Sequence, residues 1–384
     1  MPAFDVDDIH LDDLRRRRSA KWQYYPADVL PAWIAEMDFP LAEPIARTLR
    51  EAVDVSDTGY QWPAELKPAC ADFAHDAWGW DFDPERVTVL PDVLTAITQC
   101  LANLTAPGEG VVITPPVYTP FFHVVAHAGR HVVEVPLIRL TDGRYSLDDE
   151  ALAAAFARAD VTAFLLSHPH NPTGTVLAPE QLAMVADLAR RHGVAVISDE
   201  IHAPLVLPGA SHVPYLVVAG DDANAVALIS ASKAWNLAGL KAAQVVATER
   251  TTASVTERIP LEATFTSGHF GVLAAACAYR EGGPWLQTVV EVLDSNRRLL
   301  GDLLAERLPL AAYVAPDASF LGWIDLDAYG LGADPAAALL ERGRVGLNPG
   351  PSFGTGGDGF VRLNFATSPA ILAEIVDRMA SVVQ

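Results

Sequence analysis

Four lysines occur in 384 residues, Lys21, Lys67, Lys233 and Lys241; the rest of the 27 Lys plus Arg are arginine. Two of the four stand eight residues apart in SASKAWNLAGLKA, a mostly small and apolar stretch. An amine can lose its proton and attack a carbonyl, which a guanidinium cannot. The ordinary lysine pKa of about 10.4 must fall for that, and a nearby cation with partial desolvation would lower it. Lys233 is therefore the candidate Schiff-base nucleophile, with Lys241 as a second positive charge beside it.

The elements that must position this amine are legible between about 90 and 250. Short apolar runs at 111–114, 161–167, 194–198, 225–230 and 243–248 alternate with helical stretches. One of these, PEQLAMVADLARRHG at 179–193, has proline at its start, glutamate in its first turn and glycine at its end. Continuous apolar strands between helices imply an α/β fold around a mostly parallel sheet covered on both faces. Such sheets bind ligands beyond the carboxyl ends of their strands. Three polar clusters fall there: SHPHNPTG after 161–167, SDEIH after 194–198 and SASK after 225–230. After about 268 the pattern changes to long helices (270–281, 284–306), short strands and a last helix at 369–382. That predicts a smaller α+β domain completed by the N-terminal segment.

Together the clusters bring an amide, a carboxylate and an amine to one crevice. Asp199 could keep a pyridine nitrogen protonated, which improves the ring as an electron sink. Asn171 could donate to a phenolate oxygen. Ser230, Ser232, Lys241 and the backbone amides that open the helix after Leu90 (Val93, Leu94) could hold a phosphate. This layout suits pyridoxal 5′-phosphate (PLP).

On these residues the chain resembles the fold-type I PLP enzymes, the aspartate aminotransferase superfamily. The resemblance runs through NPTG at Asn171–Gly174, SDEIH at Ser198–His202, SASK at Ser230–Lys233 with Lys241, and RLNF from Arg362. Within that group it is most similar to cystathionine β-lyases of the MalY/PatB kind. That likeness rests on Lys21-Trp22, WIAEMDFP at Trp33–Pro40, Gly59-Tyr60, PPVYTPFF at Pro115–Phe122, SKAWNLAGL at Ser232–Leu240 and NPGPSFG at Asn348–Gly354. The resemblance implies a large PLP-binding domain at 46–282 and a small one made of 1–45 and 283–384. It implies that Lys233 bonds the cofactor aldehyde and later moves the substrate Cα proton. Asp199 would face the pyridine nitrogen, Asn171 and His202 the 3′-oxygen, and Tyr118 would stack on the ring. Ser230, Ser232 and Lys241 would face the phosphate. Arg362 would clamp the substrate carboxylate, helped by the backbone at Ile34 and Ala35. Tyr60 would reach the phosphate of a second subunit, making a homodimer with shared sites. The implied reaction is carbon–sulfur β-elimination from cystathionine or a related cysteine conjugate. Transamination is the alternative, since both use these residues.

Two positions depart from the pattern. Asp92 stands in the phosphate turn where the subgroup has glycine, and as a helix cap it would take N–H groups a phosphate would use. Lys241 stands where arginine is common, which keeps the charge without the bidentate fork.

The remaining features favour other classes less. A net charge of −21 argues against nucleic acid, whose phosphates demand a basic face. No apolar run has the roughly 18–20 residues of a membrane helix, and the start, MPAFDVDDIH, is acidic without a signal core, so a cytoplasmic protein is expected. Cys70, Cys100 and Cys277 are scattered and read as buried reduced thiols. Arg15–Arg18 reads as a solvated or intrachain-paired face. GTGGDG at 354–359 fits a dinucleotide motif in letters only, because a strand follows it rather than a helix. His168, His170 and His202 with Asp199 match no standard zinc spacing. A catalytically inert member of the fold is disfavoured by Lys233, Asp199 and Arg362 occurring together.

Overall fold

A computed structural model describes residues 3–383. Its main sheet has seven strands in the order Val87–Leu90, Ala243–Ala247, Ala225–Ile229, Ala195–Asp199, Val161–Ser167, Gly110–Ile113 and His131–Glu134. Only Ala243–Ala247 runs antiparallel to its neighbours. The central strands are buried along nearly their whole length, which is why they read as continuous apolar runs rather than alternating ones. Helices cover both faces, and the apolar core splits accordingly into two large clusters.

Register explains how the polar clusters meet. Ser167 pairs with Asp199, and Asp199 with Leu228, so three strands end at one level. Because Ala243–Ala247 runs the other way, its amino end lies at that same edge, where Ala243 pairs with Leu90. Lys241 and the start of the helix Val93–Leu104 are thereby brought together although 148 residues separate Val93 from Lys241. The reversed strand is the topological reason a second lysine can stand near Lys233.

A four-stranded antiparallel sheet follows, ordered Ala312–Tyr313, Leu321–Asp325, Phe360–Asn364, Asn348–Pro349. The expected long helices are His269–Glu281 and Gly283–Arg307, and the last is Pro369–Val383. Gly282 joins the first two. A Cβ there would collide with the Trp235 indole, whose Nε1 donates to Gly282 O at 3.0 Å. That contact fixes the loop carrying Lys233.

The N-terminal segment is held from beneath. Lys21 and Asp38 form a buried ion pair at 2.8 Å, and Trp22 Nε1 donates to the same carboxylate at 3.1 Å. Arg17, from the basic block, donates to the carbonyls of Met37, Asp38 and Phe39. Its charge is used within the chain.

Candidate active site

A cavity of about 710 Å³ opens at the shared strand edge, within the range of cofactor and ligand sites. Segments from the N-terminal strap, the large sheet and the four-stranded sheet all line it.

Lys233 sits half-buried on its wall, and its Nζ donates to Ala35 O at 2.9 Å. Burial, and then the cation of Arg362, lower its pKa to about 8. Asp199 and Glu36 pull the other way without reversing that. The amine thus has the depressed basicity a nucleophilic lysine needs.

Asp199 is buried at the end of its strand, and its Oδ1 accepts from Ile201 N–H at 3.2 Å. Burial pushes its carboxyl up to about 7, and the neighbouring Glu200 adds to that. A cation arriving at this carboxyl would reverse the shift. Behind it Glu200 is wholly buried, paired with His212 at 2.9 Å and accepting from Ser198 Oγ and Tyr215 N–H. Those bonds hold the turn that carries Asp199 and His202. His202 is driven down to about 3 by burial and by Lys233, so it is neutral, and its buried Nδ1 has no partner among the described residues.

Arg362 is buried on the opposite wall. Nη1 donates to Asn171 Oδ1 at 3.1 Å and Nη2 to Trp33 O at 3.0 Å. With its amide oxygen turned inward, Asn348 also accepts from Nη2, at 2.6 Å. The guanidinium lies over Phe353, 5.1 Å from the ring centre. Burial holds its pKa down to about 10, and buried Nε has no partner among the described residues. This is a buried cation oriented by neutral acceptors and available to an anion. Tyr118, Ile34, Ala35, Val93, Leu94, Ser232 and Lys241 complete the expected set on the cavity wall.

Two expected residues stand elsewhere. Ser230 lies just behind the wall, where its Oγ accepts from Ser232 N–H and reaches Ala242 O at 2.7 Å, so its hydroxyl is spent on the turn. Tyr60 lies on the surface at 84% exposure, against Phe265 with ring centres 5.7 Å apart. His168 and His170 bond to the carbonyls of Val213 and Thr114 and shape the turn.

The departures from the pattern meet each other. Asp92 caps the helix Val93–Leu104, accepting from Thr95 N–H at 2.9 Å, and its other oxygen pairs with Lys241 Nζ at 3.1 Å.

Three positioning asparagines escaped sequence reasoning. Asn236 accepts from Met37 N–H and donates to Met37 O, both at 2.9 Å. Asn364 donates to Ile34 O and Glu36 O at 2.8 and 2.7 Å. With Asn348 they tie the strap 33–37 over Lys233. SKAWN, RLNF and NPGPSFG contained them, but nothing about an isolated Asn names its partner.

The residues fit PLP. Burial holds the Asp199 carboxyl up despite the nearby Lys233 charge, the buried His202 Nδ1 has no partner among the described residues, and Val93, Leu94, Ser232 and Lys241 cluster as donors. The aminotransferase class I and II family model matches residues 36–379. The chain belongs to that family. It is 44% identical to a protein of Mycobacterium leprae over 99% of this chain and 98% of that one. It is 37% identical to the cystathionine beta-lyase PatB of Bacillus subtilis, over 94% and 96%. The solved structure of cystalysin from Treponema denticola, which contains PLP, aligns with a TM-score of 0.89 at 25% identity, over 96% of both chains. The family shares the fold-type I architecture described above and acts on small amino acids with this cofactor.

Proposed function

We propose that the chain is a PLP-dependent carbon–sulfur β-lyase that splits L-cystathionine or a related cysteine S-conjugate. With one water consumed, the products are a thiol, pyruvate and ammonia. The observation that carries the reading is the Lys233 amine, lowered to about 8, between buried Asp199 and buried Arg362. The choice of elimination rests on similarity to a relative named cystathionine beta-lyase at 37% identity.

The cofactor, when bound, supplies an electron sink for the pair left at Cα. The chain's residues do the rest. Arg362 grips the substrate carboxylate with the geometry that Asn171 and Trp33 O impose. Neutral Lys233 takes the Cα proton onto Nζ, and the Cβ–S bond then breaks with the electron pair leaving on sulfur. Asp199 holds a proton at the pyridine nitrogen. His202, fixed neutral, and the Asn171 amide are hydrogen-bond partners for the 3′-oxygen. Val93, Leu94, Ser232 and Lys241 receive the phosphate, and Ser230 holds their turn. Tyr118 packs against the ring.

The working form is a cytoplasmic homodimer. Tyr60, Trp62, Leu261 and Phe265 are exposed by 84, 74, 64 and 41%, an apolar group that favours a second copy. Tyr60 would then complete the partner's phosphate site. Three separate buried thiols suit a reducing compartment.

The test is the visible absorption band of protein reconstituted with PLP. It is expected in the wild type and lost in Lys233→Ala. A wild type without that band would overturn the reading.

A further inference from the structure

We propose that Asp92 is a counterweight to the cofactor phosphate, a residue that weakens the hold on PLP and speeds its exchange. The proposal rests on the cavity being the PLP site.

Three side-chain cations line the cavity: Lys233, Lys241 and Arg362. Arg362 stands on the opposite wall, oriented by Asn171 and Trp33 O toward the substrate carboxylate, and Lys233, the reacting amine, donates to Ala35 O. Lys241 is thus the cation of the phosphate corner, and it is already paired. Its Nζ lies 3.1 Å from Asp92 Oδ2, while Asp92 Oδ1 takes the Thr95 N–H. Burial alone would raise this carboxyl, but the Thr95 N–H and Lys241 keep it below its ordinary value, so it is ionised at neutral pH. One carboxylate therefore occupies both resources a phosphate would use there, the cation and a first-turn donor. The donors left are Val93 and Leu94, whose N–H groups no intrahelical carbonyl can serve, and Ser232.

The backbone offers little room to relieve this. Lys241 has φ of +65°, and its carbonyl accepts from Gly268 N–H at 2.8 Å. A Cβ at Gly268 or Gly271 would collide with Leu240 O, so the turn is pressed against the helix His269–Glu281. An arriving phosphate must share the Lys241 ammonium with a like charge or displace that charge.

Asp92→Asn separates the charge from the cap, because its amide oxygen can still accept from Thr95 N–H. Apoprotein is titrated with PLP by tryptophan fluorescence, and release is timed after dilution. The variant should bind PLP about five- to thirtyfold more tightly and release it correspondingly more slowly, the scale of one part-exposed charge at a helix N-terminus. Pyridoxal, which lacks the phosphate, should bind both proteins alike. In a double-mutant cycle, Lys241→Gln should cost more in the Asp92→Asn background, where the ammonium is free for the phosphate, than in the wild-type background, where Asp92 already occupies it. Asp92→Ser, a second uncharged cap, repeats the measurement should the first variant fold poorly. Equal PLP constants in wild type and variants, or an equal gain for pyridoxal, would overturn the proposal alone. A wild type that takes up neither ligand would overturn the cofactor reading as well.

Discussion

Replacing Arg362 by lysine keeps one positive charge and removes the fork. In the native site two Nη atoms are fixed at 3.1 Å from Asn171 Oδ1 and 3.0 Å from Trp33 O. Nε is buried without a partner among the described residues. The fork is thus aimed before any carboxylate arrives. A lysine ammonium can replace one of two charge-assisted bonds to the substrate carboxylate, and each is worth about 1.5–3 kcal/mol. Arg362→Lys should therefore lower kcat/KM by about 10- to 150-fold, at about 1.4 kcal/mol per factor of ten. Arg362→Ala loses both bonds and leaves Asn171 Oδ1 without its donor, so its loss should be larger still. The assay is steady-state thiol release from a cysteine S-conjugate. The matching cysteamine conjugate, which has no carboxylate, is followed through the change it causes in the cofactor band. Binding of that amine should be nearly indifferent to Arg362→Lys. A variant within twofold of wild type on the amino acid would refute the clamp, as would an equal loss on the amine.

Three further outcomes follow from the same geometry. A lysine must be neutral to attack, so with its pKa lowered to about 8, capture of pyridoxal by apoprotein should reach half its maximal rate near that pH. Borohydride trapping across pH measures it; Arg362→Gln should move the midpoint upward, and a wild-type midpoint above about 10 would discredit the depressed amine. Lys21→Met strands the Asp38 carboxylate, 2% exposed, and should cost about 3–5 kcal/mol in urea unfolding at fixed protein and cofactor concentration. Adding Asp38→Leu should restore much of that loss, and a silent single variant would contradict the buried-pair argument. Co-expressed Lys233→Ala and Tyr60→Ala chains should recover about a quarter of wild-type activity through hybrid dimers with one intact site. No recovery would tell against a shared site.

Much of this site was legible because parallel-sheet physics collects strand ends. SHPHNPTG, SDEIH and SASK end adjacent strands, so Asn171, Asp199 and Lys233 had to converge. Arg362 came from motif resemblance, since nothing local to RLNF points it at Asn171. Strap geometry was not legible. Asn236 and Asn364 act on backbone carbonyls about 200 and 330 residues away in sequence, contacts that periodicity cannot encode. Lys21 stood out as one of four lysines, yet only the fold shows that its partner is Asp38. Ser230 shows the opposite limit. A serine in the right motif turned out to spend its hydroxyl on Ala242 O and the turn rather than on the cavity. Asp92 was visible as a departure, and its pairing with Lys241 emerges only from the reversed strand Ala243–Ala247.

Elimination distinguishes this chain from an aminotransferase that would use the same residues. The most direct measurement incubates the holoenzyme with L-cystathionine and several S-substituted cysteines, without any keto acid, and counts products. One thiol and one pyruvate are expected per substrate consumed, and none from Lys233→Ala. Turnover that begins only when a keto acid acceptor is added, with no thiol released, would contradict elimination and make the chain an aminotransferase.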